Sequence, residues 1–330
     1  MRKHIILTFV LLAICGAVFT SCSSDKKEGK TVTAKAQSAP YELLIVADKS
    51  WLKTQAGEEF VNTVAGPIEG LPQAEPAFRV TSVNPAQFTS TFRTYSNIVR
   101  VDISKKHKKA TASMTSDVYC KPQVIITFEA PDDAALMEYL ATESAQQAVN
   151  VLVGQELGRE RGILSKHYSN VVMNETKKMF GYGINAPQDI DEVKKGKNFL
   201  WGSASKQEFR LNVCVYSLPL KDMTAEDFIA ARDSVMKINI PGDREDQWME
   251  TDSRTVAVKI IKPQGKEVME VRGLWDMRND AMGGPFVSYV QTDLDNDRLI
   301  VTEGFVFAPE EKKRPLIREL EAMLQTLIIL

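Results

Sequence analysis

Between residues 254 and 309, four strand-like stretches follow one another with no helical spacing among them. That succession constrains the fold more than any other feature. The stretches are RTVAVKII, KEVMEVRGLWDM, PFVSYVQTD and RLIVTEGFVFAP. Upstream, EFRLNVCVYSLP alternates: Phe209, Leu211, Val213 and Val215 take one face, and Arg210, Asn212, Cys214 and Tyr216 the other, the two-residue period of an extended chain. FGYGINAP and KNFLWGSAS read as a further strand pair. One helix, MTAEDFIAARDSVMKI, interrupts the series, with Thr224 and Asp227 spaced as a capping box. A last helix sets Leu316, Ile317, Leu320, Met323, Leu324, Leu327 and Ile328 on one stripe. Residues 179–330 are therefore predicted to form one largely antiparallel sheet covered by helices.

The preceding part, residues 40–178, has a different rhythm. YELLIVAD reads as a strand, and SWLKTQAGEEFVNTVAG follows with helical spacing and a glycine stop. LPQAEPAFRVTSVNP reads as loop plus strand, and PAQFTSTFRTY as a short helix. SNIVRVDIS and KPQVIITFEAP read as two more strands. From Asp132 a helical pattern runs to Phe180, too long for one ordinary helix, with Gly158 or Gly162 predicted to divide it. The order β-α-β-α-β-β-α predicts a mixed α/β layer domain, so the chain as a whole is α/β in content with an α+β second half.

The N-terminus belongs to neither domain. Arg2, Lys3 and His4 precede an apolar run from Ile5 to Phe19, then small residues and Cys22. A positive start, a short apolar stretch and a small-residue cleavage site make residues 1–21 a secretory signal, too short to span a bilayer. Phe19-Thr20-Ser21-Cys22 resembles the lipobox of bacterial lipoproteins, which makes Cys22 the lipid-bearing residue. Residues 22–39, polar and without apolar period, read as a flexible tether. The expected setting is the cell envelope, with the membrane engaged through the N-terminal lipid. Asp25 and Glu28 are diluted by Lys26 and Lys27, which points to a periplasm-facing anchor rather than surface export.

Charge and motifs narrow the function classes. Lys plus Arg total 41 against Asp plus Glu 43, so the basic excess that nucleic acid demands is missing. Cys120 and Cys214 are the cysteines of the mature body, and either a disulfide or two isolated thiols fits an envelope protein. Only His107 and His167 remain as imidazoles after the leader, so no metal site and no cofactor is expected. DLDNDRLIVTEG opens like a calcium loop but holds Arg298 and Gly304 where the glycine and bidentate glutamate belong, and reads as a hairpin turn. SKKHKKA, with His107 among four lysines, reads as a solvated loop. No nucleophile elbow, zinc-protease pair, phosphate loop or dinucleotide fingerprint occurs.

The most unusual stretch is GLWDMRNDAMGGPFVSY. Gly283, Gly284 and Pro285 predict a tight turn, entered by Trp275 and Asp276 and left by Phe286, Ser288 and Tyr289. A hairpin with an aromatic cross-strand cluster is the plain expectation. The functional one is a ligand or partner surface made by Arg272, Trp275, Asp276 and Tyr289, with Trp201. The partner would be an envelope protein or a small ligand. A second functional reading is a hydrolase of an envelope polymer, with two carboxylates in a cleft lined by Trp201 and Trp275.

Two family resemblances accompany these readings. The element order of residues 179–330 resembles the PsbP-like α/β/α sandwich. RGLWDMRNDAMGGPFVSYVQTD and TEGFVFAPEEKKRPLIRELEAML, with YELLIVADKSWL and the FLW strand, resemble domain of unknown function 4837, a family of Bacteroidota lipoproteins. That likeness spans nearly the whole mature chain. It implies a lipid anchor and an envelope location, and it carries no catalytic residues.

Overall fold

The computed structural model describes residues 34–204 and 210–329 of the 330. The leader, Cys22, most of the tether and Phe209 lie outside the described residues. β1 (Glu42–Val46), β2 (Arg79–Val83), β3 (Asn97–Ile103) and β5 (Val124–Ala130) pair in parallel. β4 (Thr111–Ser116) joins antiparallel, giving the order β2-β1-β3-β5-β4. β1 is buried along both faces, which is why it reads as a continuous apolar run without alternation. One face is covered by α1 (Gln55–Ala65), α2 (Asp133–Leu140) and the first part of α3 (Glu143–Leu164), around Phe60, Phe128, Leu136 and Leu152. Among the described residues, the other face carries Phe88, Phe92, Tyr95 and Tyr119 over Leu44, Ile98 and Ile125.

Three features of this half depart from the sequence reading. PAQFTSTFRTY forms two separate 3-10 turns, Pro85–Gln87 and Phe92–Thr94. An isolated helix that short is marginal, and its Ser and Thr side chains compete for backbone groups. β4 was not anticipated because TASMTS has no apolar alternation; it is a largely exposed edge strand. The long helical run does divide, but not at glycine. α3 begins after Thr142, and α4 (Asn170–Phe180) after Ser169, whose side chains accept hydrogen bonds from the Ala145 and Val172 amides. Such N-caps satisfy amides that no helical carbonyl reaches. Gly158 and Gly162 lie inside α3, where a side chain would meet open space or only Arg161.

The second sheet holds seven antiparallel strands in the order β6-β7-β8-β12-β11-β10-β9. They are β6 (Glu192–Gly196), β7 (Phe199–Ser203), β8 (Arg210–Pro219), β9 (Met249–Ile261), β10 (Val268–Met277), β11 (Gly283–Asp293) and β12 (Arg298–Phe307). α4 and α6 (Arg314–Leu324) pack on one face around Val172, Val213, Ile317 and Leu320. α5 (Ala225–Asn239) packs on the other, with Phe228 and Met236 against Tyr216, Phe286 and Phe305. The layers are thus α/β/α, and the whole chain is α+β. Because both faces are covered, Asn212, Cys214 and Tyr216 are as buried as Leu211 and Val213. The capping box of Thr224 and Asp227 is formed, and DLDNDR is the β11–β12 turn. FGYGINAP is not a strand: Gly181 ends α4 at φ +85 and the segment leads to β6, which supplies the partner of β7 instead. No described helix is long and apolar enough to cross a membrane.

Candidate functional site

The two sheets meet along α3 and α6. Leu152 of α3 belongs to the first core, whereas Leu157 and Leu164, one to three turns further on, belong to the second. Glu75, before β2, accepts hydrogen bonds from the Lys313 and Arg314 amides at the start of α6. Beside this seam lies a cleft of about 850 Å³. Its first wall is Val64, Ile68, Phe78, Val149 and Val153, and its second is Ile261, Pro263, Glu270, Arg272 and Tyr289 with Arg318 and Glu321 of α6. Asn62, Gln146, Asn150, Gln264 and Gln325 add side-chain amides.

The floor of the cleft is a charged quartet. Arg272 grips Glu270 with two parallel bonds, Nε–Oε1 at 2.7 Å and Nη2–Oε2 at 2.9 Å, and also bonds Glu321. Arg318 donates to the other oxygen of Glu321 at 2.6 Å. Glu321 is only 1 % exposed. Burial alone would push its carboxyl up, but Arg272 and Arg318 hold it below the usual carboxylate range. Two arginines balance two glutamates, so the floor carries no net charge. Tyr289 lies over it, its hydroxyl 3.5 Å from the Gln325 amide, and burial raises its phenol above the ordinary value. Arg318 also stands 5.7 Å from the ring centre of Tyr41, whose hydroxyl is buried without a hydrogen-bond partner.

The five residues singled out from the sequence separate across the second sheet. Arg272 and Tyr289 face the cleft. Trp275 is 1 % exposed on the opposite face, packed edge-on against Phe305 with its indole N–H donating to the Val306 carbonyl. Trp201 is half-buried on that same face, 6.5 Å from Phe305 and bonded to Asn212. Asp276 is exposed near the end of β10. A strand period of two sends Arg272 and Trp275, three positions apart, to opposite sides. The cleft lined by Trp201 and Trp275 is therefore not formed, and the two carboxylates on the floor of the cleft between the sheets, Glu270 and Glu321, are held by arginine.

The glycines also act otherwise than expected. Gly283 and Gly284 are not in the turn, which is made by Arg278–Met282 with Asn279 at φ +55; they are the first residues of β11, paired with Asp276 and Trp275. A Cβ on Gly284 would stand 2.0 Å from the Val306 carbonyl oxygen, so glycine is needed for close approach rather than for bending. Cys120 and Cys214 are free, buried in different halves of the molecule, and the disulfide left open by the sequence is not made. Burial pushes both thiols up. Glu270, Arg318, Glu321 and the whole first wall were missed. The only sequence signal for them was charge on the apolar stripe of α6, which marks a helix face meeting something besides core. Among the described residues, one group with metal-ligating side chains gathers, Asp102, His107 and Glu129 on the first sheet.

Comparison with known proteins divides the chain at the same seam. Residues 169–326 match the family model Domain of unknown function (DUF4837), and residues 36–164 match Domain of unknown function (DUF8532). The DUF4837 likeness thus covers the second sheet and its helices, a narrower stretch than the near-complete mature chain. No curated protein matches the chain, and no solved structure does.

Proposed function

We propose that this chain, whose residues 169–326 form a DUF4837 domain, is an envelope lipoprotein. It is anchored by lipid on Cys22, faces the periplasm, and binds a partner or ligand in the cleft between its two sheets. The observation that carries the binding role is the cleft itself. Its volume of about 850 Å³ falls in the range of sites that enclose small molecules or short segments. Its floor is charged but neutral in sum, and its walls mix aliphatic side chains and amides with Glu69, Arg161, Lys259 and Lys262. The anchor rests on the sequence of the leader and on Cys22 following Ser21.

The binding role is tested in living cells with a photo-crosslinking amino acid placed at Asn150, inside the cleft, or at Met114 on the exposed edge strand. Adducts are expected at Asn150 and not at Met114; equal yields at both would overturn the assignment of the cleft. The anchor is tested separately: Cys22→Ser is expected to move the chain from the membrane pellet to the soluble fraction. Unchanged pelleting would remove the lipid from the account.

A further inference from the structure

The first sheet has a cavity of its own, independent of the interdomain cleft. It measures about 450 Å³ and is lined by Val46, Arg100, Asp102, Ser113, Thr127 and Glu129. Topology puts it there. From β1 the chain goes to β2 on one side and then to β3 on the other. Open sheets with parallel strands bind ligands at the carboxyl ends of the strands where the order reverses in this way. Val46 ends β1, and Asp102 and Glu129 lie directly paired near the ends of β3 and β5. The loop after β3 then brings back His107.

Three ligand atoms converge, one from each of Asp102, His107 and Glu129, all within 4.8 Å of one another. His107 Nε2 is 3.2 Å from Asp102 Oδ2, and Nδ1 is 3.9 Å from Glu129 Oε2. Donors on a tetrahedral ion with bonds of about 2.1 Å stand roughly 3.4 Å apart; one ring nitrogen binds the ion, and the half-buried carboxylates rotate toward it to close the set. The imidazole is only 13 % exposed, and Asp102 is the carboxylate that its Nε2 atom faces. The geometry points to a three-ligand site for a divalent transition-metal ion of the Zn²⁺ type, formed by Asp102, His107 and Glu129. An imidazole among the ligands selects such an ion over Mg²⁺ and Ca²⁺, which prefer oxygen throughout. The adjoining cavity supplies the ion's remaining ligand, a water or an anion.

One group competes. Lys106 Nζ lies 2.7 Å from Asp102 Oδ2, and its hydrogen bond is the main reason the Asp102 carboxyl sits below its ordinary range. This pair is exposed and cheap to open. Lys105, Lys108 and Lys109 are solvated, and salt screens their charge.

The test uses the full chain with Cys15→Ser and Cys22→Ser, so that no leader thiol takes up metal. After chelator treatment it is titrated calorimetrically with Zn²⁺. One ion per chain is expected, not displaced by millimolar Mg²⁺ or Ca²⁺. His107→Ala and Glu129→Gln should each weaken binding by about tenfold or more. Lys106→Met should tighten it, a gain of function that misfolding cannot imitate. All variants should keep the far-ultraviolet circular dichroism of the parent. Absence of stoichiometric uptake by the parent overturns the site, as does equal affinity in parent, His107→Ala and Glu129→Gln. Neither outcome bears on the cleft, which this site does not touch.

Discussion

At the scale of single residues, the second core turns on one buried ion pair. Glu303 of β12 and Arg232 of α5 are fully buried and bonded through both carboxylate oxygens, Nε–Oε2 at 3.0 Å and Nη2–Oε1 at 2.8 Å. Ser288, Thr251 and the Met249 sulfur take further bonds, Asp233 stands 3.7 Å from the guanidinium, and the guanidinium lies 4.0 Å from the Phe286 ring centre. Such a pair adds little over apolar residues of equal volume, but breaking it strands a charge in the core. Glu303→Gln is therefore expected to destabilise the protein by about 3 kcal/mol, read by urea denaturation. The double variant Glu303→Leu, Arg232→Met should recover most of that loss. A double variant as unstable as the single one would show that packing, not the stranded charge, sets the cost. Half of this was legible. Glu303 sits inside the apolar run RLIVTEGFVF, where a carboxylate has to find a partner. Arg232 lies 71 positions earlier in a helix whose one other basic residue, Lys237, is exposed over Trp248, so only the fold identifies it.

Among elements, α6 shows where periodicity succeeds and where it stops. The predicted stripe buries Ile317, Leu320, Met323, Leu324 and Leu327, while Leu316 and Ile328 pack at its margin. Period alone says nothing of the flanks. On one side Arg318 and Glu321 join the cleft floor. On the other, Glu319 is pressed toward α3, and its carboxyl is pushed up to about 7, first by burial and then by Glu160 and Asp189. Its ordinary value is 4.5, so the folded chain favours the protonated form. The stability this group contributes is present below pH 4.5 and is lost as the pH rises through 7. Glu319→Gln should accordingly raise stability at pH 8 by roughly 2 kcal/mol and change it little at pH 4.5. Thermal midpoints of parent and variant at both values decide it; an equal gain at both would assign the effect to helix propensity. Sheets were similarly divided. Apolar strands buried on one or both faces announced themselves, whereas β4, exposed and rich in Ser and Thr, depends on β5 to be a strand at all.

For the whole molecule, the two sheets are joined by polar contacts at one end and by a shared helix. Glu75 of the first half caps α6 of the second, binding the Lys313 amide at 2.7 Å and the Arg314 amide at 3.2 Å, where Lys313 itself offers no side-chain cap. Glu75→Ala should cost about 1–2 kcal/mol, the value of a lost N-cap. The loss should appear calorimetrically as a broader or divided transition, because the cap crosses the seam. A sharp single transition shifted by the same amount would place the effect in α6 alone. α3 makes the halves hard to separate, since its Val149 and Leu152 serve one core and its Leu157 and Leu164 the other. By itself the sequence determined the α+β class, the antiparallel second sheet, the capping box of α5 and the DUF4837 likeness. The first three depend on neighbours in the chain, through side-chain period, capping and turn chemistry, whereas the likeness rests on the motifs that resemble the family. Tertiary structure alone decided that Arg272 and Tyr289 belong to a cleft while Trp275 belongs to the core. It alone brought His107 back to Asp102 and Glu129, and kept Cys120 from Cys214. Those outcomes depend on which face each strand turns to a second layer and on how two sheets dock, and residues far apart in sequence carry no local trace of either.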